Sequence, residues 1–308
     1  MPAAARRTER PRILRAPALS RFRWLLHGFS TRRGGVSRRF GGKALNLGFG
    51  AEDSRTAVEK NRRRFLAELP SGGRAKPTLI TLRQVHSDVI HVVDRVPSAP
   101  LVGDGLLTDV AGLVLAVQTA DCLPVLLADP EHHAVGVFHA GWRGTLARIV
   151  EKGVGMMRQR YQSDPRKLVA AIGPGIHGCC YEVGGEVRER FEAQFDYAAA
   201  LFHEVSESDP VREKYPLLFL TARAPGHSEL GPKLHLDLVG ANRRQLVAAG
   251  LRPRHIWASP LCTSCRVDLL FSHRGERGKT GRMMGAVGLR SNARFKMKNA
   301  KGPRAKGQ

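Results

Sequence analysis

No stretch of this chain is apolar for the roughly 20 residues that a membrane-spanning helix needs. The longest apolar segments are interrupted by Asp121, Pro124 and Asp129. The N-terminal sequence MPAAARRTERPRILR has no apolar segment after its arginines, so it does not predict a secretory signal. We therefore expect a protein with no membrane partner.

Aromatic residues and cysteines are both scarce. Aromatics make up 6% of the 308 residues, so Val, Leu and Ala must fill most of the core. The five cysteines are an odd number, and no secretory signal accompanies them. This combination favours reduced thiols in the cytoplasm over a disulfide framework.

Acidic residues are few, at 27 against 50 Lys and Arg, which leaves a net charge of +23. Thirteen of these charges lie near the two ends of the chain: residues 1–23 hold seven Arg and one Glu, and residues 290–308 hold three Arg, four Lys and no acid. Because both ends lack apolar periodicity, we predict disordered basic tails at 1–21 and 290–308 around a catalytic domain at 22–289. The tails could contact nucleic acid through phosphates, but no aromatic-interleaved RNA motif supports that partner.

Strand-like and helix-like segments alternate along the rest of the chain, which predicts an α/β or α+β fold with a mixed sheet. Residues 200–233 have no clear periodicity and are interpreted as an insertion. The turn DGLLTD precedes a strand at Leu113–Gln118. The predicted helices are Ser54–Leu69, with Ser54 as N-cap, Gly144–Arg160, Glu186–Phe195 and Leu236–Ala249.

Three chemically reactive side chains end strand-like segments: His86 in QVHS, Cys122 in TADC and His139 in HAGW. Two imidazoles and one thiol leave a fourth position open on Zn²⁺, which is typical of catalytic zinc sites. The same three groups could instead form a cysteine nucleophile activated by histidine. The ligands are 36 and 17 residues apart, too far for a zinc finger. The residues themselves leave both readings open.

Arginines among glycines indicate an anionic substrate, because guanidinium groups match phosphate oxygens and Gly-rich loops approach ligands closely. The Gly-rich segments are TRRGGVS and GGKALNLG. The candidate arginines are Arg62, Arg143, Arg274, Arg277 and Arg282.

Cys262 and Cys265 form a C-x-x-C pair. A structural zinc site needs two such pairs. The pair alone is compatible with half a zinc knuckle or with a redox pair, but the sequence shows no partner pair, so we interpret Cys262 and Cys265 as structural residues.

The ordered motifs resemble those of one protein family. They are HGFSTRRGGVS, LNLG, QVHS, DGLLTD, TADCLPVLLAD, GVFHAGWRGT, AIGPGIHGCCYEVG, HLDL and CT…FSHR…TGR. The chain is similar to the purine nucleoside phosphorylase family formerly called polyphenol oxidases or laccase-domain proteins, which have also been named peptidoglycan editing factors. The similarity runs from about Phe22 to Leu289.

The resemblance implies an α+β single domain, a four-layer α/β/β/α sandwich with mixed β-sheets. It implies that His86, Cys122 and His139 are both catalytic residues and ligands of a zinc cofactor. It also implies substrate or phosphate binding by Asn46, Arg62 and Arg274. The implied reactions are phosphorolysis of adenosine, inosine, guanosine and methylthioadenosine, and deamination of adenosine, so purine nucleosides and phosphate are the expected partners.

Two neighbouring positions depart from the family pattern, which usually reads SHRRD near the C-terminus. Here Gly275 replaces the second Arg and Glu276 replaces the acid. Arg274 or Arg277 could supply the missing guanidinium. The alternative function is a Cys–His amidase or transferase acting on a peptidoglycan precursor, with Cys122 as nucleophile.

Overall fold

The computed structural model of the protein describes residues 9–69, 76–205 and 232–291. The elements in these ranges are numbered along the chain. The α-helices are α1 (Pro17–Ser20), α2 (Arg55–Glu68), α3 (Trp142–Leu146), α4 (Ile149–Tyr161), α5 (Gly185–Glu192) and α6 (Leu238–Ala248). The strands are β1 (Ile13–Leu14), β2 (Leu25–Ser30), β3 (Arg33–Ser37), β4 (Thr78–Ile80), β5 (Leu82–Arg83), β6 (Ile90–Val92), β7 (Leu101–Val102), β8 (Gly105–Thr108), β9 (Leu113–Thr119), β10 (Leu123–Asp129), β11 (Ala134–Ala140), β12 (Val169–Ile172), β13 (Phe202–Val205), β14 (Lys233–Leu236), β15 (Ile256–Ala258) and β16 (Met283–Leu289).

Two large sheets carry the fold, and both are mixed. The five-stranded sheet has the order β1-β2-β16-β9-β4, in which β4 runs parallel to β9. The six-stranded sheet has the order β15-β12-β10-β11-β8-β6, with parallel pairs at both edges. Antiparallel pairing of β10 with β11 aligns Pro124 with His139. This register brings the ends of two motifs predicted to be reactive to the same edge of one sheet.

The two sheets pack face to face, and helices cover their outer faces. Leu115, Val137 and Val287 belong to the buried cluster between the sheets. Phe65 of α2 packs on the outer face of the five-stranded sheet, and Val154 of α4 packs on the six-stranded sheet. The predicted α/β/β/α order is confirmed. None of the helices in the described ranges is long and apolar enough to cross a bilayer.

Helix α2 begins where the sequence predicts. Ser54 has extended backbone, and its hydroxyl accepts a hydrogen bond from the Ala57 N–H at 3.2 Å. This satisfies one of the amide donors that the first turn of a helix leaves free. Val58 and Phe65 of this helix, seven residues apart on one helical face, are fully buried.

The helix predicted at 144–160 is two helices, α3 and α4. Arg148 between them has a left-handed φ of 61° and interrupts the helical backbone. The side-chain amide of Gln245 donates to the Thr145 carbonyl at 2.7 Å, which satisfies a carbonyl at the end of α3. Because Gln245 lies in α6, tertiary contacts decide this break. The DGLLTD segment was predicted as a turn, but its centre is the buried strand β8.

The prediction of a disordered tail over 1–21 is wrong for its second half, because β1 and α1 lie there. Leu19 is fully buried, and the Arg15 guanidinium donates to the Glu68 carbonyl at 2.7 Å. A few apolar residues among arginines gave too short a pattern to predict this contact. Residues 1–8 and 292–308 lie outside the described residues, as do positions 206–231 of the predicted insertion. The described parts of that insertion include β13 and part of β14, which pair with each other.

Candidate metal and substrate site

Three neighbouring segments position the predicted ligands. His86 lies in the loop between β5 and β6, Cys122 lies in the turn before β10, and His139 is the penultimate residue of β11. The β10–β11 register pairs Leu123 with Ala140, so Cys122 lies opposite Gly141. A Cβ at Gly141 would lie 2.8 Å from the Cys122 Sγ. Only glycine leaves room for the thiol at this position.

The three side chains converge. Their ligand atoms, one ring nitrogen from each histidine and the Cys122 Sγ, all lie within 4.8 Å of one another. The ring centroids of His86 and His139 are 4.9 Å apart, and the rings are arranged edge to face. His139 is 4% exposed, whereas His86 is exposed to solvent. The structure therefore brings together all three residues that the sequence singled out, in an arrangement that can hold a metal ion.

Asp104 organises this group, although the sequence analysis did not single it out. Its fully buried carboxylate accepts a hydrogen bond from His139 Nδ1 at 2.8 Å. Because a carboxylate can only accept, Nδ1 carries the proton and Nε2 is left to act as a ligand. The same carboxylate accepts from the backbone N–H groups of Val85, His86 and Ser87 and from the Ser87 hydroxyl. One carboxylate thus orients the His139 ring and holds the backbone of the loop that carries His86.

The electrostatics of the pair Cys122 and His139 favour a thiolate. Burial raises the pKa of the Cys122 thiol, but the charge of His139 and hydrogen bonds from both histidines outweigh it and lower the pKa to about 6. Burial lowers the pKa of His139, but the Cys122 charge and the hydrogen bond to Asp104 outweigh it and raise the pKa to about 9. Hydrogen bonds from His139 and Ser87 overcome burial and lower the pKa of Asp104 to about 2.

Asp121, beside Cys122, connects the site to the C-terminal loop. Its carboxylate accepts from the hydroxyls of Thr263 and Ser272 at 2.6 and 2.7 Å, and from the Arg274 backbone N–H at 2.6 Å. Asp121 has φ of 94° and His86 has φ of 60°, both in the left-handed region. Such conformations cost free energy in non-glycine residues and persist where surrounding contacts impose them, frequently at functional sites.

A cavity of about 560 Å³ opens onto the three ligands. This volume falls within the range of small-molecule sites. Three of its residues, Phe49, Trp142 and Tyr181, offer aromatic faces. Such faces can stack on a planar ring. Its remaining polar walls come from Arg83, Gln84, Gln118, Asp121, Arg143, His273, Arg274 and Arg282.

Four arginines against one carboxylate make the wall of this cavity strongly positive. Arg274 is held by its backbone bond to Asp121 and by a side-chain bond to the Glu182 carbonyl at 2.9 Å. Arg143 lies over the Trp142 ring at 4.5 Å. The cavity is therefore suited to an anionic ligand that also carries a planar ring.

Asn46 and Arg62 lie behind this wall. The Asn46 amide donates to Asp53 at 2.8 Å and to the Gly48 carbonyl, while its oxygen accepts from the N–H groups of Gly48 and Arg282. Its hydrogen-bonding capacity is fully used by the protein. The Arg62 guanidinium donates to the Leu47 carbonyl at 2.9 Å and lies 4.2 Å from the Phe49 ring centroid. Neither residue lines the cavity that contains Cys122; both support residues that do.

Gly275 does not line the cavity. A Cβ at this position would point at Val267, Ser272 and Ser264, at 2.9 to 3.2 Å, and not at the cavity wall. Glu276 pairs with Arg32 at 3.0 Å and accepts from the Ser272 N–H. Arg277 does not line the cavity. Arg274, with Arg282 and Arg143, supplies the guanidinium groups.

Two structural features were missed by sequence reasoning. Asp104 precedes β8, and its acidic side chain before an apolar run was the available signal. The C-x-x-C pair was interpreted as lacking a partner, but Cys179 and Cys180 lie beside Cys262 and Cys265. The partner was missed because adjacent cysteines do not have the C-x-x-C spacing.

Comparisons with known proteins agree with this architecture. Residues 26–290 match the family model described as multi-copper polyphenol oxidoreductase laccase. A protein of Deinococcus radiodurans named purine nucleoside phosphorylase is 38% identical over 278 residues, covering 90% of this chain and 92% of that protein. Adenosine deaminase RL5, from an unknown prokaryotic organism, is 34% identical and covers 81% of this chain and 88% of its own length.

The solved structures show the same fold. The crystal structure of YlmD from Geobacillus stearothermophilus superposes with a TM-score of 0.69 at 35% identity, covering 90% of this chain and 96% of that one. A multi-copper cluster needs many histidines, whereas the candidate site in the described residues offers two histidines and one thiol. The chain belongs to this laccase-like family, in which relatives are named purine nucleoside phosphorylases.

Proposed function

We propose that this protein is a zinc-dependent purine nucleoside phosphorylase that also deaminates adenosine and phosphorolyses methylthioadenosine. The observation that carries this proposal is one cavity in which His86, Cys122 and His139 face arginine side chains and aromatic rings. A nucleoside needs a surface for its base, phosphate needs cations, and deamination needs an activated water. The names of the Deinococcus and RL5 relatives support both reactions.

The donor set fits zinc. Two imidazoles and a thiolate suit Zn²⁺ and leave one coordination position for water or substrate. Asp104 supports this reading because a carboxylate bound to the second nitrogen of a ligand histidine fixes the tautomer that metal binding requires. When bound, zinc would lower the pKa of a coordinated water molecule to about 7. A cytoplasmic location fits these groups, because the ligand thiol must stay reduced.

In phosphorolysis, a phosphate oxygen forms a bond to the ribose C1′ while the bond from C1′ to the purine nitrogen breaks. Positive charge develops on the ribose in the transition state, so an adjacent phosphate dianion stabilises it. The arginines of the cavity would hold that phosphate, with Arg274 anchored by Asp121. The ring of Tyr181 or Phe49 would stack on the purine.

In deamination, the oxygen of water forms a bond to purine C6 and the amino group leaves as ammonia. The purine must then present its C6 edge to the three ligands. Trp142 adjoins Gly141 and lines the same cavity, so it can limit how the base is oriented. His139 is buried at this end of the cavity, whereas His86 is exposed to solvent, so water can reach the three ligands.

The first test removes one ligand at a time. We expect Cys122→Ala and His86→Ala each to lower bound zinc by about one ion per chain and to abolish adenosine deamination. His203→Ala, which removes an exposed histidine, is the matched control and should leave both properties unchanged. Unchanged zinc content and unchanged adenosine turnover in Cys122→Ala would overturn the proposal.

Phosphate binding is tested separately. Arg274→Met should raise the KM for phosphate by about tenfold or more, because a hydrogen bond to a charged group contributes about 1.5–3 kcal/mol. Arg277→Met is the control, since Arg277 lies on the same loop but does not line the cavity. Product analysis should find ribose 1-phosphate and free base from adenosine, inosine and guanosine, and the corresponding 5-methylthio sugar phosphate from methylthioadenosine. An identical KM in both variants would exclude Arg274 from the phosphate site.

One observation favours the second candidate, a Cys–His amidase or transferase: the pKa of Cys122 is lowered to about 6, as a nucleophilic thiolate requires. This reading predicts covalent labelling of Cys122 by a substrate-like electrophile and activity that survives a strong chelator. The zinc reading predicts loss of activity on chelation and recovery when zinc is restored.

A further inference from the structure

Four thiols meet on the side of the molecule next to the cavity. Cys179 and Cys180 lie in the loop after β12, and Cys262 and Cys265 lie in the loop after β15. Because β12 and β15 are parallel neighbours, their carboxyl ends share one edge of the sheet. The two loops continue side by side, with a parallel bridge between Gly175 and Cys262. The fold therefore brings together cysteines that are more than 80 residues apart in sequence.

The sulfur positions match a metal site with four thiolates. All four Sγ atoms lie within 4.8 Å of one another. The Sγ of Cys265 is 3.3 Å from that of Cys180 and 3.6 Å from that of Cys179. Four sulfurs at about 2.3 Å from a tetrahedral Zn²⁺ would be separated by about 3.8 Å. The cluster already has nearly this spacing.

The surrounding backbone favours a charged sulfur at Cys262. The His177 N–H donates to the Cys262 Sγ at 3.5 Å, and the N–H groups of Ser264 and Cys265 are directed at the same sulfur. Amide donors stabilise a charged sulfur and orient it as a ligand. Cys262 is buried, whereas Cys179 and Cys265 are exposed, so an ion can reach the site from solvent.

We propose that Cys179, Cys180, Cys262 and Cys265 bind a second zinc ion in a closed, structural site. Soft sulfur ligands in a tetrahedral set select zinc over the hard cations of solution. Four protein ligands leave no open position, so this ion would not take part in catalysis.

The second ion would fix two walls of the cavity. Tyr181 follows Cys180 directly, and Thr263, between Cys262 and Cys265, donates to Asp121 at 2.6 Å. Asp121 in turn holds the Arg274 backbone. A zinc ion bound to the four sulfurs would therefore position the Tyr181 ring and the Arg274 guanidinium without contacting the substrate itself.

The decisive experiment uses the full-length Cys122→Ala chain, in which the candidate catalytic ligand set is broken and the four-cysteine cluster is intact. Purified with zinc under reducing conditions, this variant should retain one zinc per chain by elemental analysis. Its four remaining cysteines should resist iodoacetamide until a chelator is added. With Co²⁺ in place of zinc, it should show the intense charge-transfer bands of a four-thiolate site. This outcome is independent of enzymatic activity, so it is separable from failure of the proposed function.

Variants of the cluster give the matched comparison. Cys265→Ser should lose the second zinc but keep the first, whereas Cys265→His, which restores a ligand, should bind the ion again. The proposal is overturned if Cys122→Ala holds no zinc, if its four thiols react equally fast with and without zinc, or if the zinc-treated protein contains a disulfide among them. Iron with labile sulfide in place of zinc would also overturn it.

Discussion

At the scale of single residues, Asp104 contacts more parts of the site than any one of the candidate ligands does. Its carboxylate accepts from His139 and from the backbone N–H of His86, two of the three candidate ligands. Without it, the imidazole of His139 would lose its fixed tautomer and the loop before Ser87 would lose its buried acceptor. The residue thus couples the orientation of a side chain to the conformation of a loop.

We expect Asp104→Asn to weaken zinc binding at the candidate catalytic site by about 10- to 100-fold, the usual effect of removing a hydrogen-bond partner of a ligand histidine. The amide keeps the size of the carboxylate but places an N–H₂ group against existing donors. Zinc affinity measured by competition with a chelator checks this. Asp109→Asn, at the exposed far end of the same strand, is the control. Equal affinities in the two variants would contradict the role of Asp104.

At the scale of elements, helix α4 reaches the sheet through a glycine. A Cβ at Gly153 would lie 2.3 Å from Cζ of the fully buried Phe138 ring. On the same helix, a Cβ at Gly155 would have no heavy atom within 4 Å. The two glycines therefore differ in their surroundings. Gly153 permits close packing of the helix on Phe138, whereas a side chain at Gly155 would meet no neighbouring atom.

Alanine at these two positions should have opposite effects on the free energy of unfolding. Gly153→Ala should destabilise the protein by about 1–3 kcal/mol, because the buried ring must shift. Gly155→Ala should stabilise it by up to about 1 kcal/mol, because alanine restricts the unfolded chain and favours helix. Urea denaturation measures both, and a stabilised Gly153→Ala variant would contradict the described packing.

The N-terminal segment is held to β2 by a buried histidine. His27 is 3% exposed, and its Nε2 accepts from the Ala16 N–H at 3.2 Å. Burial and the nearby charge of Arg15 lower the pKa of His27 to about 4, from an ordinary value of 6.5. The neutral form is therefore the one that the folded protein accommodates.

This shift predicts a pH dependence of stability. Between pH 4 and 6.5 the unfolded chain binds a proton at His27 that the folded protein does not, so stability rises with pH across this window and is lost as pH falls. The full effect is on the order of 3 kcal/mol. His27→Gln, which keeps an acceptor but cannot titrate, should flatten the dependence in urea denaturation at several pH values. The control His203→Gln should retain the slope of the parent.

At the scale of the whole molecule, part of the positive charge lies in the cavity and part at the chain ends. Residues 1–8 and 292–308 together hold four Arg, four Lys and no acid, eight of the 23 net charges. The arginines of the cavity face a concave surface of about 560 Å³, which suits a small anion and not a polymer. Nucleic-acid binding would therefore depend on the ends.

We expect a chain of residues 9–291 to keep its catalytic activity and to lose any affinity for duplex DNA at low salt. Phosphate contacts release counterions, so the salt dependence of binding should also decrease with the ends removed. Fluorescence anisotropy over a range of salt concentrations checks this. Strong binding by the shortened chain would place the nucleic-acid surface on the body of the protein.

Much of the architecture could be predicted from sequence because its signals are local. The buried strands β9, β10 and β11 are continuous apolar runs, and Ser54 caps α2 through contacts within one turn. The break at Arg148 and strand β8 could not be predicted, because Gln245 of α6 and the neighbouring strands impose them.

The residues of the candidate site divide in the same way, into those marked by local sequence patterns and those brought in by tertiary contacts. By itself, the sequence determined which groups are candidates for the chemistry: His86, Cys122 and His139 stand out by residue type and by position at strand ends. Only the tertiary structure decided which of the other residues act with them. Asp104, Asp121 and the four-cysteine cluster depend on contacts between segments 18 to 153 residues apart. Strand register and parallel pairing create such contacts, and neither leaves a local pattern in the chain.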